Sequence, residues 1–552
     1  MFPRLKTPQN KTTREMRINR FQAIYTIVCA LLISCAPKIP VIQSIDPKIG
    51  AMGEEITLTG KNFGEAREES YVTIAGIAPT NSSYQKWQDN IIKVKFPESS
   101  ESGLVYVHVK GKKSNGVLFS NSAAVPRRIE GEEPGLEPRI ISVNPVTAAA
   151  GSLITITGNN FGSSRENGGV FFSWDFDSPS SPFIAREPEF IEVSDVEFGY
   201  VSWNAREIRV RLPDGAVSGT LEIRTPRGKS RPFFFDAGGR QGTKAFKDKR
   251  SYTVHYSVDV RVTEATRPNT LYLWMPKPVI SPSQRNVSLV SQSAAPFVEN
   301  HRGVSLFKID NLGPGSNPAI NLSFNVEVYA QETVVRPQSI RQDDASPLAA
   351  YIQNSNLIPA GDPKIKTLAN AIAGRERNPY QKARLFYEWI TAEMKITDAP
   401  TNIIAAVEQK KADAYTAALL YCAMMRAGGI PCIPVAGVLV NRSGQTLRHY
   451  WTEFWIDGFG WIPADPVMGA GAAADSFVIK QEPAGYYFGN LDSQRIAFSR
   501  GEVVLSQMES RGRLVSRPQS YSLQNIWEEA AGGLESYSSL WGDITITGIY
   551  VQ

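Results

Sequence analysis

The sequence predicts a multidomain chain in which all-β sandwiches come first, a further β-sandwich follows, and an α+β core closes the series. Three observations predict this. One motif occurs twice in the first 165 residues. A six-step apolar alternation runs from Tyr252 to Val262. From Asp362 the apolar period changes from two to that of a helix, and strands return after residue 432. A chain of 552 residues is too long for one core.

The N-terminus is set apart by charge. Arg14, Arg17 and Arg20 precede an apolar run over 23–33 that ends Ser34-Cys35. A basic stretch, a short apolar stretch and a small residue make an export signal. The run falls well short of the ~20 residues needed to span a bilayer. Ser34-Cys35 resembles the bacterial lipobox, which implies removal of the leader, lipidation of Cys35 (palmitate being the testable chain) and a membrane contact through that lipid. Residues 1–34 carry a net +5, which is the whole chain's +5. The mature protein is therefore formally neutral, and nothing in its charge supports nucleic acid as a partner. Four scattered histidines give no basis for a metal site, and no cofactor is expected.

The repeat reads Pro40-Val-Ile-x-Ser-Ile-Asp-Pro47 with Gly53-x2-Ile-Thr-Leu-Thr-Gly60-Lys-Asn-Phe63-Gly64, and Pro138-Arg-Ile-Ile-Ser-Val-Asn-Pro145 with Gly151-x2-Ile-Thr-Ile-Thr-Gly158-Asn-Asn-Phe161-Gly162. Trp87 and Pro97 bracket one strand, and Trp203 and Pro213 bracket its counterpart at the same spacing. Short alternating strands bounded by Gly and Pro indicate sandwiches. The glycine after each Thr is expected to supply positive-φ backbone. These stretches resemble IPT/TIG domains, immunoglobulin-like modules, over 38–125 and 138–236. The second copy has about 18 more residues, placed around 171–188. Linkers are expected at 126–138 and 237–244.

The Tyr252–Val262 alternation, repeated at Leu322, Phe324, Val326 and Val328, predicts the further β-sandwich over 246–335. Asp362 before Pro363, Asn378 before Pro379 and Asp413 are candidate N-caps, the third for a helix ending at Arg426 before Gly428-Gly429. Strands are expected over 435–440, 449–455 and 461–464. Helices followed by an antiparallel sheet make an α+β core over 345–505. Residues 506–552 match no pattern.

The chemistry lies between 407 and 466. There the chain reads Lys411-Ala-Asp-Ala-Tyr-Thr, a helix ending Arg426-Ala-Gly-Gly-Ile-Pro, then His449-Tyr-Trp-Thr-Glu453 and Gly460-Trp-Ile-Pro-Ala-Asp465-Pro. This pattern resembles the transglutaminase-like superfamily of papain-type cysteine enzymes. The resemblance places the base at His449, the orienting acid at Asp465 and the nucleophilic cysteine at position 414, where this chain has Ala414; Ala412 likewise replaces a glycine. In the intact family a thiolate at a helix N-terminus attacks an amide carbonyl. A methyl group cannot. The spacings on both sides of Ala414 hold, so no register shift supplies a thiol. Cys422 lies about 12 Å further along the helix, and Thr416 or Tyr415 would be an unconventional nucleophile. A Cys422–Cys432 disulfide and two buried thiols both fit the sequence. His449 and Asp465 read either as a base–acid pair or as a buried pair joining two strands. Trp451, Trp455 and Trp461 read as core or as the walls of an aromatic groove for an extended peptide.

The resulting expectation is an exported, lipid-anchored cell-envelope protein with a transglutaminase-like domain that binds protein, peptide or peptidoglycan without turnover. The alternative is an amidase, peptidase or crosslinking enzyme with a displaced nucleophile.

Overall fold

The computed structural model describes residues 39–97, 101–125, 137–165, 168–174, 190–194, 199–238, 242–340, 348–472 and 476–551. The expected leader with Cys35, the 126–138 linker apart from its last two residues, and most of the expected 171–188 insertion lie outside them. The chain forms two units, Met1–Phe119 and Ser120–Gln552.

In the first unit, Val41–Asp46, Glu55–Lys61, Ile91–Lys95 and Tyr84–Gln88 make one antiparallel sheet. It faces a second sheet built on Gly103–Val109, Val117–Asn121 and Tyr71–Ile74. Alternation puts Ile56, Leu58, Val72, Ile74, Val105 and Val107 into the core between them. The first sandwich of the second unit repeats the plan, with Arg139–Asn144, Leu153–Asn159, Glu207–Arg211 and Tyr200–Trp203 as its corresponding sheet.

The repeated glycines have a different task from the one expected. Gly60 and Gly158 are absent from the positive-φ positions, which fall instead at Gly53, Asn62 and Gly64 and at Gly151, Asn160 and Gly162. A Cβ on Gly60 would overlap the Val41 carbonyl and the Phe63 ring, and one on Gly158 would overlap the Arg139 carbonyl and the Phe161 ring. These glycines let an aromatic ring fold under a strand. The motif tryptophans complete the arrangement, Trp87 Nε1 donating to the Phe63 carbonyl at 2.9 Å and Trp203 Nε1 to that of Phe161 at 3.0 Å.

The further β layer is an eight-stranded sheet whose spine is Gly242–Pro276. Ala319–Val335 and Val304–Asp310 pair with the spine, and so do Glu528–Trp541 and Thr545–Val551 from the C-terminal segment. The segment that matched no pattern therefore supplies two partners of the central strand, and a third short strand, Arg513–Val515, pairs with one of them. Tyr252, Val254, Tyr256 and Val258 point inward and share one apolar core with Val438, Val440, Ile496 and Phe498. Those last four residues lie on the back of the next sheet, so the two layers bury each other.

That next sheet is antiparallel, in the order Gly460–Ala464, Thr446–Ile456, Cys432–Val440, Arg495–Arg500. Helices Pro363–Ala373, Pro379–Glu393, Ile403–Gln409 and Ala414–Ala427 cover its other face. Asp362 Oδ1 caps the first through Lys364 N–H, and Asn378 caps the second through Tyr380 and Gln381 N–H. Asp413 occupies the N-cap position of the Ala414 helix without a side-chain cap; its carboxylate accepts from Thr401 N–H.

The expected 237–244 linker is strand from Gly242 onward, and Lys244 is buried. Lys244 Nζ lies 2.6 Å from Asp214 Oδ2 of the preceding sandwich and donates to the Trp461 carbonyl at 2.7 Å. Trp461 N–H donates to the same Asp214 oxygen at 3.1 Å. The two side chains are 1% and 3% exposed. A buried ion pair thus ties three layers at one point, and Trp455 packs beneath Gly151 of the same sandwich. Removing one member of such a pair leaves an uncompensated buried charge and costs about 3–5 kcal/mol. Asp214→Ala should lose that much in urea unfolding of the full chain. Asp214→Leu/Lys244→Met should lose clearly less, because no charge is then stranded.

Candidate functional site

The Ala414 helix is held at both ends. Arg426 in its last turn donates to the Cys432 and Gln353 carbonyls at 3.0 Å each, and its charge suits the negative end of the helix dipole. At the other end Tyr415 packs on Tyr450 with ring centroids 5.0 Å apart. The helix start therefore lies beside the strand that carries His449. Ala414 and Tyr415 share an apolar cluster with Ala418, Ala436, Leu357 and Leu523.

His449 Nε2 lies 2.7 Å from Asp465 Oδ2. A carboxylate only accepts, so Nε2 carries the hydrogen. Nδ1 makes no hydrogen bond among the described residues. Asp465 Oδ2 also accepts from Arg495 at 2.8 Å, and Oδ1 accepts from Met468 N–H at 2.9 Å. Arg495 reaches on to Asp492 at 3.2 Å, and Tyr487 Oη donates to Asp492 at 2.8 Å. The guanidinium lies over the rings of Trp451 and Tyr487. His449 is 2% exposed and Asp465 0%. Burial alone would raise the Asp465 carboxyl, but the charges and hydrogen bonds of His449 and Arg495 outweigh it and hold the group at about 2. The same opposition leaves Asp492 below the usual carboxylate range, while burial pushes the Tyr487 phenol up.

The fold brings His449 and Asp465 together and sets the start of the Ala414 helix against the neighbouring Tyr450, and among the described residues no thiol stands at position 414. Thr416 Oγ1 donates to the Thr401 carbonyl at 3.0 Å. The Tyr415 phenol is pushed up to about 12 by burial, the wrong direction for a nucleophile. Cys422 is buried against Cys432 with the sulfurs 3.3 Å apart, and both are free thiols; a disulfide measures about 2.05 Å. Burial also drives the Cys432 thiol up. The expected aromatic groove is filled as well. Trp455 and Trp461 pack against each other at 5.6 Å, with Leu348, Tyr351 and Ala150 around them.

Sequence reasoning placed Asp492 and Arg495 only in a segment closing the core, with no role at the site, and passed over Leu523. Arg495 opens a buried strand three residues after Asp492, and a basic residue that close to an acidic one was the available signal. Leu523 lies in the segment that showed no pattern.

Residues 366–466 match the transglutaminase-like superfamily, and residues 40–123 and 138–175 match the IPT/TIG domain. The chain carries a transglutaminase-like core and IPT/TIG domains. It is 26% identical over 170 residues to an uncharacterized protein of Haemophilus influenzae, covering 24% of this chain and 46% of that protein. It is 26% identical over 120 residues to a cyclomaltodextrin glucanotransferase of Paenibacillus macerans, covering 22% of this chain and 16% of that one. The chain thus spans less than half the length of these two relatives. Among solved structures, a protein of Cytophaga hutchinsonii provisionally described as a cysteine protease is similar at 15% identity, with a TM-score of 0.33, over 56% of this chain and 92% of that one.

Because the carboxyl of Asp465 is held near 2 when folded, against about 3.9 unfolded, its contribution to stability is complete above about pH 4 and is lost as pH falls toward 2. Urea unfolding of Asp465→Asn should therefore show a shallower loss of stability between pH 4 and 2 than the parent protein. Parallel curves would remove Asp465 from this role.

Proposed function

We propose that this protein is a lipid-anchored cell-envelope scaffold whose transglutaminase-like core binds or braces and does not catalyse. The observation that carries the reading is Ala414, a methyl group at the position that the family resemblance gives to the nucleophile, in a chain whose His449–Asp465 pair is assembled. Burial of that pair supports it further, as does Leu523 packing against the start of the helix. An acyl-transfer site needs an attacking atom, and residue 414 supplies none. The partners proposed are protein, peptide or peptidoglycan at the cell surface. The second IPT/TIG module is better described as part of a rigid body with the core than as a flexible spacer, given the Asp214–Lys244–Trp461 contact.

Incubation of the full chain with glutamine peptides, amine donors and peptidoglycan stem peptides should release no ammonia and no cleavage product. Turnover that is abolished by His449→Ala would establish the displaced-nucleophile enzyme instead. Ala414→Cys places a thiol at a helix N-terminus, where the dipole favours the thiolate, so it should react with iodoacetamide faster than the buried Cys422 does. Equal or slower labelling would count against a preserved site.

The anchor rests on the Ser34-Cys35 junction and its basic, apolar approach. Labelled palmitate should enter the protein in a bacterial host and be absent from Cys35→Ser. Equal incorporation into both would refute it.

A further inference from the structure

The outer face of the eight-stranded sheet differs from an ordinary solvated sheet surface. Alternation that buries Tyr252, Val254, Tyr256 and Val258 turns Ser251, Thr253, His255 and Ser257 outward. The registers place Thr253 between Asn325 and Gly548, and His255 between Ser323 and Thr545. Ser257 stands beside Asn321. From the Thr253 row to the Ser257 row these outward positions hold no Lys, Arg, Asp or Glu. Formal charge returns only at the margins, with Glu327 next to Ser251 and with Asp259. A solvated sheet face usually mixes both signs of charge; this one is hydroxyl and amide.

Its polar groups are oriented by one another. Thr253 Oγ1 donates to Asn325 Oδ1 at 2.9 Å, and His255 Nδ1 lies 3.0 Å from Ser323 Oγ. Thr545 Oγ1 donates to the His255 carbonyl at 3.0 Å. These bonds fix the side chains and leave the Asn325 amide hydrogens and His255 Nε2 facing outward, so little conformational entropy remains to be lost on binding. Beside them Tyr550 is 68% exposed. A Cβ on Gly548 would lie 3.5 Å from Tyr550 Cε2 and 3.2 Å from Thr253 Oγ1. The Tyr550 ring therefore leans over Gly548, with one face toward the sheet and the other toward solvent, next to the Thr253–Asn325 row.

We propose that this face binds an uncharged polysaccharide. A pyranose offers a flat C–H face, which stacks on an exposed aromatic ring, and a rim of hydroxyls that both donate and accept. A ring platform flanked by neutral, prealigned donors and acceptors complements both. Anionic lipid, nucleic acid or an acidic peptide would call for cations, which these rows lack. The face lies on a different layer from His449, so the proposal is independent of whether the core catalyses.

The test uses the full chain in pull-downs on cellulose, chitin and starch granules and in gels containing mannan, with alginate as the charged control. We expect retention on at least one neutral polysaccharide and none by alginate. Tyr550→Ala and Asn325→Ala should each weaken that retention at least tenfold, and Tyr550→Phe should leave it near the parent value. Both positions lie on a solvent face, and an unchanged Tm for each variant separates lost binding from lost folding. No retention on any neutral polysaccharide, retention indifferent to both alanine variants, or equal retention by alginate would overturn the proposal.

Discussion

The Asp465 carboxylate is the constraint on which the core depends. It sits at the end of Gly460–Ala464, takes the His449 imidazole from Thr446–Ile456 and takes the Arg495 guanidinium from Arg495–Arg500. Three of the four strands of the core sheet therefore converge on one buried anion. In a medium of low dielectric such a charge is tolerable only while its partners stay in place. The nucleophile position carries no such penalty: Ala414 is a small residue at a helix start, and alanine is the best helix former. The asymmetry explains how a base–acid pair can be complete where the attacking atom is missing. Intact geometry at His449 and Asp465 is evidence of folding and says little by itself about catalysis.

Other layers pack against the core on several sides. Its back face is buried by the eight-stranded sheet, its Trp455 and Trp461 edge by the second IPT/TIG module, and the start of its helix by Leu523 of the C-terminal segment. Each of these layers takes area that a catalytic cleft would need for a substrate. Sheet surface stays exposed, and a neutral stretch of it lies on the outward face of the spine strand.

Much of this was legible in the sequence, and the exceptions have physical reasons. Repeats and caps are local: the doubled Gly-x2-Ile-Thr motif, Asp362-Pro363 and Asn378-Pro379 each act within a few residues, and each forms the element it signals. The role of Gly60 and Gly158 was misread because a glycine motif alone does not distinguish positive φ from close approach; the Phe three residues later was the clue. Asp413 has the composition of a cap but is engaged by Thr401. The 237–244 stretch looks like a linker by composition, yet Lys244 is buried by partners 30 and 217 residues away. Long-range pairing of this kind leaves no local pattern. The same holds for Glu528–Trp541, whose strand identity comes from the spine it pairs with, and for Arg495, whose importance lies in a carboxylate 30 residues earlier.

The central claim is that the His449–Asp465–Arg495 network is held for structure. Urea unfolding of Arg495→Met beside Ala414→Ser tests it most directly. The account predicts that Arg495→Met loses about 3–5 kcal/mol, because Asp465 and Asp492 are left buried without their cation, whereas Ala414→Ser changes stability by less than about 1 kcal/mol. A near-neutral Arg495→Met would contradict it.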